Sequence, residues 1–208
     1  MNIAVLVSGG GTNLQALIDY EKSNRNCPYH IALVLSSTKD SYALERAKKA
    51  EIPAEIRSPY SVMGAAAVKK ASRNEKRTAV SDAVLELCRR YNIDAIVLAG
   101  FLTVLSDRII TEYSNRIVNL HPALLPKFGG VGMWGRHVHE AVLAAHEKES
   151  GCTVHLVDAG CDTGKILVQK KVPVADDDTP ETLYARIAPV EHEALVEGVC
   201  MLAEMLKK

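Results

Sequence analysis

One feature constrains this chain more than any other: short apolar runs, rich in β-branched residues, return at intervals with helical stretches between them. Ile3 to Val7, Ile31 to Ser36, Asp94 to Ala99 and Ile117 to His121 are the clearest. Ile3 to Val7 and Asp94 to Ala99 carry no alternation, so they read as buried strands. The spacing predicts helices from about Leu14 to Tyr20, from Tyr42 to Ala50 and from Arg73 to Tyr91. In the last, Ala79, Val80, Val84, Leu87 and Cys88 recur at helical intervals. A short extended piece, Ile52 to Ile56, follows the second helix, and the polar stretch from Ser58 to Arg77 shows no clear period. Repeated strand–helix alternation predicts an α/β fold, a doubly wound and mostly parallel sheet with helices on both faces.

At 208 residues and 48% hydrophobic, the chain suits one full-sized domain. Lys+Arg and Asp+Glu both number 25, so net charge points to neither nucleic acid nor an anionic membrane as partner. Cys27, Cys88, Cys152, Cys161 and Cys200 are odd in number and form no CxxC pair. They read as reduced thiols, not as a disulfide framework or a zinc site. Met1 leads directly into a strand, and no apolar run has membrane length, so a soluble, cytoplasmic protein is expected.

The first strand ends in Ser8-Gly9-Gly10-Gly11-Thr12-Asn13-Leu14. Successive amides without side chains, beside a helix N-terminus, make an anion-binding nest; a tight turn with Thr12 or Asn13 as N-cap is the plainer alternative. Two known phosphate motifs fail here. A dinucleotide fingerprint would need glycine where Leu14 stands, and a Walker loop would need a lysine. A small phosphorylated metabolite therefore fits better than NAD or ATP.

Ile117-Val118-Asn119-Leu120-His121-Pro122 begins as a strand and stops at a proline, which keeps His121 extended. Asn119 and His121, two residues apart, leave on one face of the strand, at the edge where open α/β sheets hold ligands. The apolar segment Phe101 to Leu105 is expected to be core, or as a group to wall a pocket for a flat heterocycle. Lys127 to Gly135 holds four glycines in nine residues and reads as a lid or a mobile connector. A helix is expected from Arg136 to Glu147, with His137, His139 and His146 at the surface. Gly151 to Val157 and Lys165 to Val174 should form an antiparallel edge hairpin around the turn Asp158 to Gly164. Thr179-Pro180 starts a helix that Pro189 should break, giving pieces Thr179 to Ala188 and Val190 to Lys207.

Ser8 to Leu14, Leu98-Ala99-Gly100-Phe101, Asn119 to Pro126, Gly151-Cys152-Thr153-Val154-His155 and Asp162-Thr163-Gly164 occur in the order and approximate spacing of the phosphoribosylglycinamide formyltransferases, and the resemblance spans nearly the whole chain. It implies transfer of a formyl group from 10-formyltetrahydrofolate, as co-substrate, to the amine of glycinamide ribonucleotide in purine (IMP) biosynthesis. It further implies a single domain over 1–208, with a phosphate-binding N-terminal half and a folate-binding, catalytic C-terminal half.

Carried over by position, the resemblance makes Asn119, His121 and Asp162 the catalytic trio. Gly11, Thr12, Asn13 and Glu191 would hold the ribonucleotide. Arg77, Leu102, Thr103, Val104, Leu105, Asn119, Asp158 and Asp162 would meet folate. Asp162 is expected to raise the His121 pKa, so that protonated His121 and Asn119 bind the oxyanion, with no metal. Small-molecule partners, no nucleic acid or membrane, and a monomer or weak homodimer complete the expectation.

Four departures stand out: Ala123 replaces the usual serine after His-Pro, the 129–135 segment is long, Lys165 stands where proline is common, and Pro189 precedes Glu191. Methionyl-tRNA formyltransferases and formyltetrahydrofolate hydrolases share the His-Pro and Asp motifs but add further domains. A non-catalytic nucleotide-binding module is a rival of another class, though it has no need of a poised acid.

Overall fold

The computed structural model describes residues 1–207. Its elements are β1 (Asn2–Val7), α1 (Thr12–Ser23), β2 (His30–Ser36), α2 (Tyr42–Lys49), β3 (Ala54–Ile56), α3 (Pro59–Met63), α4 (Ala65–Lys70), α5 (Arg73–Arg90), β4 (Ala95–Leu98), α6 (Asp107–Glu112), β5 (Ile117–His121), α7 (Arg136–Ala144), β6 (Glu149–Leu156), β7 (Ile166–Pro173) and α8 (Pro180–Leu206). The strand order is β3-β2-β1-β4-β5-β6-β7. The chain forms two compact units, Met1–Ile117 and the residues from Val118 onward.

In the first unit the apolar runs form parallel strands: β1 pairs with β2 and β4, and β2 with β3. Ile3 to Val7 are fully buried, which is why that run carries no alternation. Leu14, Leu17 and Ile18 turn inward from α1. This helix begins earlier than expected, on a left-handed Gly11 (φ 71°), and neither Thr12 nor Asn13 serves as its cap. The unreadable stretch holds α3, α4 and the start of α5. Ser58 and Ser72 each close a capping box there, while α3 and α4 together bury only Val68. Helices set by caps and not by an apolar face leave no period to read.

In the second unit β6 pairs antiparallel with β7, as expected, and also with β5, so the reversal of direction begins one strand earlier. Cys152 to Leu156 are all buried, with α8 packed against β6 and β7. The expected break in the last helix does not occur. Pro189 lies inside a continuous α8, because the buried stripe Leu183, Ile187, Glu191, Ala194, Leu195, Val199 and Leu202 runs past it. Each fully buried large apolar side chain contributes about 1.5–3 kcal/mol. Several together outweigh the ~3 kcal/mol cost of an interior proline. Among the described residues no helix is long and apolar enough to cross a membrane.

Candidate active site

The glycine loop leaves β1 and enters α1 through Gly11. A Cβ there would lie 2.6 Å from the Ala43 Cβ, so the loop packs tightly on α2 and tolerates only glycine at that position. Ser8 Oγ lies 2.6 Å from Ser37 Oγ and accepts the Leu102 amide at 2.9 Å. No acidic residue occupies the first turn of α1. The dipole of its N-terminus is thus uncompensated by any side chain of that turn.

Arg77 and the segment Leu102 to Leu105 do come together, through the backbone: Arg77 Nε donates to the Leu105 carbonyl at 2.9 Å. Leu102 and Val104 are 60% and 62% exposed, whereas Leu105 is buried. Two of the segment's three apolar residues therefore face outward, available to a ligand, and one is core.

In the second unit, Asn119, His121 and Asp162 converge. β5 supplies Asn119 and His121 from one face, as period two requires. His121 Nδ1 is 3.6 Å from Asp162 Oδ2. Asp162 adopts a left-handed backbone (φ 58°) and accepts the Gly130 amide at 3.0 Å. Gly129 leaves room for this contact, since a Cβ would stand 3.3 Å from the Asp162 Cβ and 2.5 Å from Leu125 Cδ2.

Two carbonyls fix the ring protons. His121 Nε2 lies 2.8 Å from the Phe128 carbonyl, which only accepts, so Nε2 carries the proton and donates. His155 Nδ1 likewise donates to the Leu156 carbonyl at 2.9 Å. With Nδ1 as donor there, Nε2 faces Asn119 Nδ2 at 3.2 Å and can accept its N–H. That bond orients the amide and leaves the second Asn119 N–H for a ligand. His155 Nε2 also stands 3.5 Å from Asp162 Oδ1.

The titration of His121 departs from expectation. Asp162 does push its pKa up, but burial of the ring pushes it down by more, and the net value lies below the ordinary imidazole range. Burial also acts on Asp162, upward; the His155 ring, the Gly130 amide and the His121 charge together outweigh it and hold the carboxyl below its usual range. A neutral imidazole beside an ionised carboxylate is the resting state near neutral pH.

Other positions behave differently. Asp158 is exposed and spends its Oδ1 on its own turn, accepting from Gly160 N (2.9 Å) and Thr163 Oγ1 (2.6 Å). Glu191 is buried on the inner face of α8. Ala123 is fully buried and its carbonyl accepts Thr153 Oγ1 at 2.7 Å. His139 corrects the surface reading of the α7 histidines. It is 3% exposed, because it shares the inward face of α7 with Val138 and Val142, while His137 and His146 are exposed. Residue reasoning assigned no role to His155, the Phe128 carbonyl or the Gly130 amide. Only His155 left a signal, on an alternating strand; backbone groups leave none.

A mostly parallel sheet with an antiparallel margin and an Asn–His–Asp set at a strand end defines the class, and the chain belongs to the formyl transferase family, whose profile matches residues 1–199. Within it, the chain is 36% identical over 192 residues to the phosphoribosylglycinamide formyltransferase of Escherichia coli, covering 92% of this chain and 82% of that protein. The trifunctional purine biosynthetic protein adenosine-3 of Drosophila melanogaster is 43% identical over 204 residues, 96% of this chain but 14% of its own length. The crystal structure of glycinamide ribonucleotide transformylase 1 from Symbiobacterium toebii superposes with a TM-score of 0.86 at 36% identity, covering 99% of this chain and 88% of that one.

Proposed function

We propose that the protein transfers the formyl group of 10-formyltetrahydrofolate to the amine of glycinamide ribonucleotide in purine (IMP) biosynthesis. The observation that carries this reading is the Asn119–His121–Asp162 cluster, with His121 and Asp162 3.6 Å apart, in a chain belonging to the formyl transferases. The names of its relatives in Escherichia coli and Symbiobacterium toebii support the acceptor. The chain spans only 14% of its trifunctional fly relative, so the other activities of such proteins are not carried over.

The acceptor amine attacks the formyl carbon, the carbon–nitrogen bond to folate breaks, and one proton passes from the amine to the departing folate nitrogen. Asn119 donates its free N–H to the oxyanion. His121 donates through neutral Nε2, which requires the Phe128 carbonyl to give way; the 127–135 segment thereby acts as a lid. Asp162, ionised, takes the amine proton through a water and returns it to folate. Gly11, Thr12 and Asn13 hold the ribonucleotide phosphate, with Glu191 toward its glycinamide or ribose. Arg77, Leu102, Thr103, Val104, Leu105 and Asp158 complete the folate site. A cytoplasmic location and a monomer or weak homodimer belong to the same proposal.

Spectroscopic turnover of a 10-formylfolate analogue, with and without glycinamide ribonucleotide, tests it. Turnover only with the ribonucleotide is expected. Equal turnover without it would mark a hydrolase, and none at all a binding module.

A further inference from the structure

Three successive carbonyls of the glycine loop point the same way. Ser8 O accepts Thr38 Oγ1 at 3.2 Å, and Gly9 O accepts Ser41 Oγ at 2.7 Å and the Ala43 amide at 3.3 Å. Gly10 O accepts Arg46 Nε at 2.9 Å. All the donors sit in the stretch from Thr38, after β2, to Arg46 in α2. In a trans peptide, the C=O of one residue and the N–H of the next point in opposite directions, and the cis peptide of the described chain lies elsewhere, at Leu125-Pro126. Pinning the carbonyls of residues 8, 9 and 10 toward this stretch therefore turns the amides of Gly9, Gly10 and Gly11 away from it. Among the described residues none of these three amides donates to a protein acceptor.

Gly9 and Gly10 add a second observation. Gly11 is glycine for reasons internal to the chain, its φ and Ala43. Gly9 and Gly10 have no positive φ, both are exposed, and a Cβ on either would meet nothing within 4 Å. Nothing in the chain needs their side chains absent, and without them a ligand could approach both amides closely.

We infer that Ser41 and Arg46, with Thr38, are positioning residues that preset this cradle for the dianionic phosphate of the acceptor. Ser41 is buried, so its hydroxyl is committed to Gly9. Arg46 is held at three points: Gly10 O, Gln15 Oε1 at 3.0 Å from Nη1, and the Tyr42 ring 5.1 Å from its Cζ. A guanidinium fork fixed in this way orients a peptide as a lysine ammonium cannot. The inference rests on the acceptor reading above.

The test compares Ser41→Ala, Arg46→Met and Arg46→Lys with the unaltered protein, in steady-state kinetics and in calorimetric titration with inorganic phosphate. Loss of either anchor is expected to raise the ribonucleotide KM and the phosphate Kd about tenfold, the scale of one hydrogen bond. Folate KM and kcat should stay within about twofold of the unaltered protein, and Arg46→Lys should recover part of the loss. Unchanged KM and Kd in both Ser41→Ala and Arg46→Met, or an equal rise in folate KM, would overturn it. Full recovery by lysine would reduce Arg46 to a charge and overturn its positioning role. Were the ribonucleotide not formylated at all, the phosphate titration would still read the cradle, separating this inference from the acceptor reading.

Discussion

His121 owes its state to its neighbours: the Phe128 carbonyl selects its tautomer, and burial outweighs the Asp162 carboxylate in setting its pKa. With Asp162 as the proton relay, Asp162→Asn is expected to lower kcat by about 10²–10⁴ while KM for both substrates changes little, as steady-state kinetics will show. His155→Leu removes the acceptor that orients Asn119, so kcat should fall about tenfold, the scale of a lost hydrogen bond aimed at a developing charge. An unchanged kcat would mean that Asn119 needs no such partner. The buried histidines also shape stability. His121 and His139 both have pKa values below the ordinary range, His139 through burial and then the His121 charge. The unfolded chain thus binds more protons, and the sign follows: stability is full above about pH 6.5 and falls as pH drops from there toward the folded-state values. Asp162, held low, adds a further loss through the ordinary carboxylate range. Melting temperature followed from about pH 7 to 5 should decline, and His139→Phe should flatten that decline.

At the scale of elements, α8 shows where local rules yield. A proline in mid-sequence predicts two helices, yet the apolar stripe is in phase on both sides of Pro189, and its burial keeps one helix intact. Pro189→Ala should restore the hydrogen bond to the Ala185 carbonyl and raise stability by about 1–3 kcal/mol, read as a higher melting temperature. No change would mean that the helix already bends to satisfy that carbonyl. The same contrast explains which elements were legible. β1 was read from five residues because it is buried on both faces. α3 and α4 were not, since two short helices that together bury one residue carry no periodic signal. The antiparallel pairing of β5 with β6 was also beyond reach, because strand direction depends on the path of the chain between strands and not on the strand residues.

At the scale of the whole molecule, the chain covers 82% of its single-function relative from Escherichia coli. The proposed monomer or weak homodimer predicts specific activity unchanged on dilution; a fall on dilution would show that a second copy completes the site. The sequence by itself determined the wound α/β class, the glycine loop and the placing of Asn119 and His121 on one strand face, because these are local signals, period, turn chemistry and residue type along a few positions; Asp162 entered only through the resemblance, its turn being a common one. Only the tertiary structure decided what those groups are. The recruitment of His155, the seating of Asp162 and the outward turn of the Gly9, Gly10 and Gly11 amides depend on contacts between residues 32 to 36 positions apart, and hydrogen-bond geometry and burial exist only once the chain has brought them together.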